Sequence, residues 1–301
     1  MASNEADSAN AALAFTGERF TPECLREIYY EHWHRYAWAT QWVEGLRVLD
    51  AACGEGYGSH LLATHADRVD GVDIDPVAIE HARSRYVADG LNFHQASILE
   101  LPFPDHQFDC VVSFETLEHL VEHDPLLGEF QRVLKPTGFL ILSSPDKKTY
   151  SDNTGYQNEF HLRELYRHEL EALLGRHFQH WRLLGQKLMF QSALWPIKAS
   201  DSSATQHLIA EADGQVSAPM QPVVAPMYFV ALAAQDPTNL PDQTPLSLFS
   251  DRNESVYAHY YDVVRKHIQA EREVAARERE IERLQQLKTP LWTRLKQLLT
   301  G

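Results

Sequence analysis

The stretch Val48-Leu49-Asp50-Ala51-Ala52-Cys53-Gly54-Glu55-Gly56-Tyr57-Gly58 decides the fold. It opens as a short apolar strand that ends on an acid, continues through a glycine-rich turn, and runs into a helical pattern. That is the first strand–loop–helix unit of an open α/β sheet, in which the loop at the carboxyl end of the strand faces a ligand. Glycines at 54, 56 and 58 permit positive φ and let the backbone approach that ligand closely. Their spacing is not the G-x-G-x-x-G of dinucleotide-binding loops, and an acid at the loop's start disfavours a pyrophosphate. Asp50 suits instead the ammonium group of a nucleoside that carries an amino acid.

Outward from this loop, strands and helices alternate. The pattern predicts strands at Arg47–Ala51, Val69–Asp73, Leu91–Gln95, Cys110–Phe114 and Phe139–Ser143, with two last strands at Trp181–Phe190 and Met227–Ala234. Helices are predicted at Gly58–Ala66, Pro76–Asp89, Pro125–Leu134 and Glu164–Leu174, the second with Asp75 as N-cap and Pro76 at N1. Short apolar strands separated by helices imply a doubly wound, seven-stranded Rossmann-like sheet covered on both faces. The expected domain spans 45–235 and carries a polar insert at 196–224. Residues 1–14 are expected to be disordered, 15–44 to form an aromatic-rich lid helix, and 236–253 a linker. In the last segment, 254–301, a long helix is expected over 254–288. There Val256, Tyr260, Val263, Ala270, Val274, Ile281 and Leu284 recur at heptad-like spacing, interrupted by His267 and Arg277. The seam implies either a homo-oligomer through a coiled coil or a solvated helix with many charge pairs. The tail from Leu291 to Leu299 is amphipathic and could touch a membrane surface or pack on a partner.

The chain has 301 residues, 44% of them hydrophobic and 23% charged, enough to bury a sizeable core. The formal net charge of −15 is unlike the basic surface of a protein that grips phosphates, so no nucleic-acid partner is expected. The three cysteines, Cys24, Cys53 and Cys110, lie far apart and show no metal or disulfide spacing. With no apolar leader at the N-terminus and no run of apolar residues long enough to span a bilayer, the expectation is a cytoplasmic protein.

A second acidic strand end, Gly71-Val72-Asp73-Ile74-Asp75-Pro76, follows the glycine loop. The pair resembles motif I and its ribose-binding acid in class I S-adenosyl-L-methionine (SAM)-dependent methyltransferases. Leu101-Pro102-Phe103-Pro104-Asp105-His106-Gln107-Phe108-Asp109-Cys110 and Leu134-Lys135-Pro136-Thr137-Gly138-Phe139 resemble two further runs of that family. The resemblance implies an enzyme that uses SAM as cofactor. It places Asp73 on the ribose, Ile74 against the adenine, and Asp50, Gly54 and Gly56 along the methionine part. Ser97 stands where many relatives carry an Asp near the adenine amine; Ala52, Ile98 and Phe114 complete the expected cofactor wall.

Beyond the fourth strand comes Phe114-Glu115-Thr116-Leu117-Glu118-His119. On a helix, Glu115, Glu118 and His119 would share a face, and two carboxylates beside an imidazole call for a cation or a proton. This E-x-x-E-H segment is similar to that of ubiquinone-pathway O-methyltransferases and small-RNA 3′-end 2′-O-methyltransferases. By that similarity Glu115, Glu118, His119 and His161 form a site for a divalent ion, Mg or Mn, that would orient an acceptor hydroxyl. Without a metal, His119 or His161 is the candidate general base, or the segment only lines the pocket.

The flanking runs Thr16-Gly17-Glu18-Arg19-Phe20-Thr21-Pro22, Glu31-His32-Trp33-His34-Arg35-Tyr36, Ser143-Ser144-Pro145-Asp146-Lys147 and Asn158-Glu159-Phe160-His161 resemble bacterial methyltransferases encoded with polysaccharide glycosyltransferases. That implies O-methylation of a sugar in a glycan or glycoconjugate. Arg35 would pair with the cofactor's carboxylate and Tyr36 would pack on it, or both only pack the helix. The alternatives are a small aromatic or quinone-like acceptor, RNA 2′-O-methylation, which the charge disfavours, and, from another class, a non-catalytic scaffold of a glycan-assembly complex.

Overall fold

The computed structural model describes residues 27–191, 209–210, 216–218, 224–242 and 246–288, with helical positions at 295–296 and 298–299. The chain divides into two units, Met1–Phe249 and Ser250–Gly301. The calls on 1–14 and 15–26, most of the 196–224 insert and most of the amphipathic tail lie outside the described residues. Within the insert, β7 (Ile209–Ala210) and β8 (Val216–Ser217) pair antiparallel. No described helix is long and apolar enough to cross a membrane.

The first unit is built on a seven-stranded mixed sheet of β1 (Arg47–Ala51), β2 (Arg68–Asp73), β3 (Leu91–Gln95), β4 (Phe108–Ser113), β5 (Leu134–Pro145), β6 (His180–Gln186) and β9 (Tyr228–Ala234). Their order is β3-β2-β1-β4-β5-β9-β6. The first five strands run parallel, and β9 is antiparallel to both β5 and β6. The seven-stranded, Rossmann-like sheet is the one expected from the alternation; the antiparallel insertion of β9 between β5 and β6 is not. Chain direction across the sheet reverses between β1 and β4, which opens a crevice at their carboxyl ends. Residues within β1 alternate between two cores. Leu49 and Ala51 pack with Val72, Val111 and Phe130 on one face; Val48 packs with Val69, Val112 and Ile141 on the other.

The helices are α1 (Glu27–Ala39), α2 (Tyr57–Leu62), α3 (Pro76–Arg85), α4 (Asp124–Val133) and α5 (Arg167–His177). Asp75 caps α3 as expected, accepting from the Val77 amide at 2.8 Å. Several boundaries differ from expectation. Helix α3 stops at Arg85, four residues before Asp89, and the extended conformation of Tyr86 then leads into the Gly90 turn at φ +77. Helix α5 starts three residues later than Glu164, because Glu169 reaches back to accept from the Tyr166 amide at 2.9 Å and fixes the start there. Strand β5 begins at Leu134 because the Lys135-Pro136-Thr137-Gly138 turn forms a bulge inside it, shifting the register between Phe108 and Cys110.

The expected linker 236–253 is in part packed structure. Arg182 donates to the Pro241 carbonyl at 2.6 Å, and Leu240 is buried. The Phe249 ring stacks on His34, 5.6 Å between centroids, and Ser247 hydrogen-bonds that histidine at 2.9 Å. In the second unit, α6 (Ser255–Lys288) is one continuous helix of 34 residues, within a residue of its expected start.

Candidate functional site

At the carboxyl ends of β1 and β2, the loop backbone is held in left-handed conformations at Ala52 (φ +62), Gly54 (+56) and Gly56 (+97). The Asp73 carboxylate ties the two strand ends together. Oδ2 accepts from the Gly54 amide and Oδ1 from the Asp75 amide, each at 2.9 Å. Each oxygen keeps a lone pair for a diol. Beside it Ile74 is 70% exposed, an apolar side chain at the rim of the crevice. Ser97 and Ile98 are half-buried below β3, where Ser97 Oγ accepts from the Leu99 amide at 3.2 Å.

Asp50 is placed differently from the sequence reading. Asp50 is fully buried, and both its oxygens already have donors within the protein. Tyr36 donates its hydroxyl to Oδ1 at 3.0 Å and Ser59 to Oδ2 at 2.6 Å. Burial raises its pKa to about 6, against the two hydrogen bonds. Asp50 therefore braces the loop from behind instead of offering an open carboxylate. Room for this brace comes from Gly58, where a Cβ would lie 2.1 Å from the Tyr36 ring. A Cβ on Gly56 would meet Ala82 at 2.8 Å and Phe93 at 2.9 Å. These glycines are dictated by protein packing as much as by any ligand. Tyr36 thus lies under the loop, edge-on to Tyr57 and Phe114 at 5.2 and 4.9 Å, and Phe114 is buried with it.

The segment after β4 does not form the helix that the E-x-x-E-H spacing assumed. Glu115 adopts φ +49, and only Leu117–His119 coil, as a short 3-10 turn. Glu115 is thereby turned away from the other two. Its amide donates to Ser143 Oγ at 3.0 Å, and that hydroxyl donates back to Glu115 Oε1 at 2.6 Å. The same oxygen pairs with Arg35 Nη1 at 3.1 Å. Arg35 also donates to Gln186 Oε1 at 3.1 Å and lies 5.0 Å over the Tyr228 ring. Burial opposes its charge, but Glu115, Tyr228 and Glu31 outweigh it and hold the guanidinium protonated. Among the described residues its buried Nε and Nη2 have no hydrogen-bond acceptor.

Sequence reasoning missed the rest of this polar cluster. Glu31, one turn before Arg35 on α1, accepts from the Tyr228 hydroxyl at 3.2 Å. Burial pushes its carboxyl up to about 7, although Arg35 pulls the other way. The i, i+4 pairing of Glu31 with Arg35 was the available signal. Tyr228 and Gln186 carry none, because the sheet order alone brings them there.

Glu118, His119 and His161 do converge, with one ligand atom from each within 4.8 Å of the others. Glu118 is buried. Its carbonyl oxygen accepts from the Leu162 and Arg163 amides at 2.7 and 3.0 Å, which pins the His161 segment across the turn. Each imidazole is oriented through Nδ1. His119 Nδ1 lies 3.2 Å from the Phe160 carbonyl, and His161 Nδ1 lies 2.6 Å from Glu164 Oε1. An imidazole that donates from Nδ1 to such an acceptor has Nε2 as its basic nitrogen, the arrangement of second-sphere support around metal-binding or base-acting imidazoles. The Tyr150 ring stacks on His161 at 5.3 Å and meets Tyr228 at 5.9 Å, so an aromatic wall joins this group to the Arg35 cluster.

Residues 49–142 match the model of a family described as a methyltransferase domain. Over 167 residues the chain is 39% identical to a "probable S-adenosylmethionine-dependent methyltransferase" of Mycolicibacterium smegmatis, covering 54% of this chain and 64% of that protein. Over 101 residues it is 38% identical to a fatty-acid O-methyltransferase of the same species, covering 33% of this chain and 37% of that protein. The chain therefore spans less than two thirds of the length of these relatives. The crystal structure of YcgJ from Bacillus subtilis superposes with a TM-score of 0.50 at 20% identity, covering 68% of this chain and all of that one, and shares the fold. These findings make the α/β domain similar to methyltransferase domains over residues 49–142, and to proteins named as SAM-dependent methyltransferases over 167 residues.

Proposed function

We propose that this protein is an O-methyltransferase that moves the methyl group of SAM to a hydroxyl of a sugar. The observation that carries the proposal is the convergence of Glu118, His119 and His161 beside the SAM crevice, with both histidines anchored through Nδ1. Two imidazoles and a carboxylate suit a borderline divalent ion such as Mn better than Mg, which prefers oxygen donors, and Glu164 supplies the outer support that such histidines need. A bound divalent ion would supply Lewis acidity to the acceptor oxygen. SAM supplies an electrophilic methyl.

The remaining work belongs to the chain itself. Asp73 takes the ribose hydroxyls, Ile74 covers the adenine, and Ser97 and Ile98 line its edge. Gly54 and Gly56 form the loop along the methionine part. Arg35, with Nε and Nη2 still lacking acceptors among the described residues, is suited to the cofactor's carboxylate. His161 or His119 accepts the acceptor's proton at Nε2. The fatty-acid O-methyltransferase match supports an oxygen as the methyl acceptor. The aromatic wall of Tyr150 and Tyr228 suits the C–H face of a sugar ring.

A second feature bears on the acceptor. Tyr156, Phe160 and Leu162 are exposed, and each contacts the Glu118–His119–His161 group or its Tyr150 neighbour, while the exposed Val121 is linked to Glu118 through Arg163. An apolar collar favours an acceptor with an apolar part. A lipid-linked sugar meets both conditions; an aromatic or quinone-like acceptor meets the second alone. Labelled SAM, screened against nucleotide sugars, lipid-linked sugars and catechols, tests the proposal. Transfer to catechols alone would overturn the sugar assignment. Absence of SAM binding in calorimetry would overturn the enzyme and favour a scaffold.

A further inference from the structure

The exposed seam of α6 points to its occupant. Tyr260, Val263, Val274, Ile281 and Leu284 are 37–54% exposed, and Ala270 between them is exposed as well. With His267 and Arg277 they follow one 3.5-residue stripe along the helix, the geometry of a two-helix seam. A stripe of this kind left in water contributes nothing to holding 34 residues helical. The stripe also reads nearly the same in both directions about Arg272. Reversed on itself, it sets Tyr260 against Leu284, Val263 against Ile281, and Ala270 against Val274.

The two polar interruptions fall opposite each other in the same register, His267 against Arg277. His267 is ion-paired with Glu271 at 3.2 Å, one turn along. A guanidinium arriving from a reversed second helix therefore meets an imidazole with a carboxylate beside it. A parallel, in-register pair would instead set Arg277 against Arg277 and His267 against His267. Lys266, adjacent to the stripe, would face Glu273 and Glu280 of the reversed helix. Against this, Glu271 would meet its own copy, a like-charge contact at the rim that salt screens.

We infer that α6 is an antiparallel self-association surface, and that its occupant is the α6 of a second copy of this chain, centred at Arg272. This goes beyond the methyl-transfer reading and does not depend on it. Light scattering of the full chain should give twice the mass of one chain at tens of micromolar. Val274→Asp, placing a charge in the seam, should raise the dimer dissociation constant at least about 100-fold with helicity retained by circular dichroism.

Direction is read by cross-linking in a Cys24→Ser background, since Cys53 and Cys110 are buried. Val263→Cys mixed with Ile281→Cys should form a disulfide, while Ile281→Cys alone should not, its two copies lying about 27 Å apart in the antiparallel register. A native chain that is monomeric at these concentrations overturns the inference. So does a Val274→Asp chain that stays dimeric, or an Ile281→Cys chain that cross-links to itself.

Discussion

The two halves of the crevice were reached by different routes. On the proposed cofactor side, Asp73, Ile74, Gly54 and Gly56 fall within a span of 21 residues, on one strand–loop–helix unit and the strand that follows. Local chain geometry determines how they meet. The Arg35 cluster and the Glu118–His119–His161 group come instead from α1, the turn after β4, the end of β6, the 158–164 segment and the start of β9. Only the strand order brings them together. A motif read by spacing is dependable where the backbone is a regular element, and it misplaces side chains where the backbone is not. Glu115 is the case in point. The i, i+3, i+4 argument required a helix, and one residue at φ +49 sends its carboxylate to Arg35 and Ser143.

The strongest test of this contrast is on the cofactor side. Asp73→Ala removes the acceptor for two backbone amides and the proposed acceptor for the ribose hydroxyls, and should weaken SAM binding at least about 100-fold by calorimetry. Unchanged affinity would refute the assignment. On the acceptor side, His161→Ala and Glu115→Gln should separate. The first should abolish Mn binding and lower turnover roughly 100-fold or more; the second should leave Mn affinity intact and loosen α1 instead. Equal loss of Mn from both variants would restore the four-ligand site that the spacing suggested.

Third in size is Gly58→Ala. Its Cβ cannot fit beside the Tyr36 ring, so unfolding free energy should fall by about 2–3 kcal/mol in urea. A neutral outcome would mean that Tyr36 is not seated under the loop.

The smallest effect expected concerns pH. Glu31, raised to about 7, is held more readily protonated in the folded chain than at its ordinary value of 4.5. Its contribution to stability is complete below about pH 4.5 and is lost as pH rises through about 7. That loss amounts to on the order of 2 kcal/mol. Asp50, raised to about 6 by burial, adds a slope of the same sign at lower pH. Glu31→Gln should flatten the decline in urea midpoint between pH 5 and pH 8. A slope equal to that of the native chain would show that Glu31 is ionised throughout.

Most of the sheet was legible because its strands are short apolar runs with an acid or glycine at the carboxyl end, as in Val48–Asp50 and Val69–Asp73. The positions of β6 and β9 were legible, but their order was not. Nothing local to Tyr228 says that its strand inserts between β5 and β6. The role of Asp50 was half legible. An acid at a strand end suggested a ligand contact, yet Tyr36 and Ser59 already occupy both oxygens, and neither pairing follows from spacing. The linker reading failed at Ser247 and Phe249 because a proline-interrupted polar run looks the same whether it is solvated or laid against a helix.

What the residues determine unaided is the alternation of elements, the glycine loop and the acid at the end of β2, because each depends on neighbours within a few positions and on hydrogen bonding that the backbone must satisfy locally. What only the folded chain decides is which partners each carboxylate takes. That depends on long-range packing: Tyr36 and Ser59 seal Asp50, Arg35 and Ser143 claim Glu115, and Glu118 converges with the adjacent His119 and with His161 from the 158–164 segment.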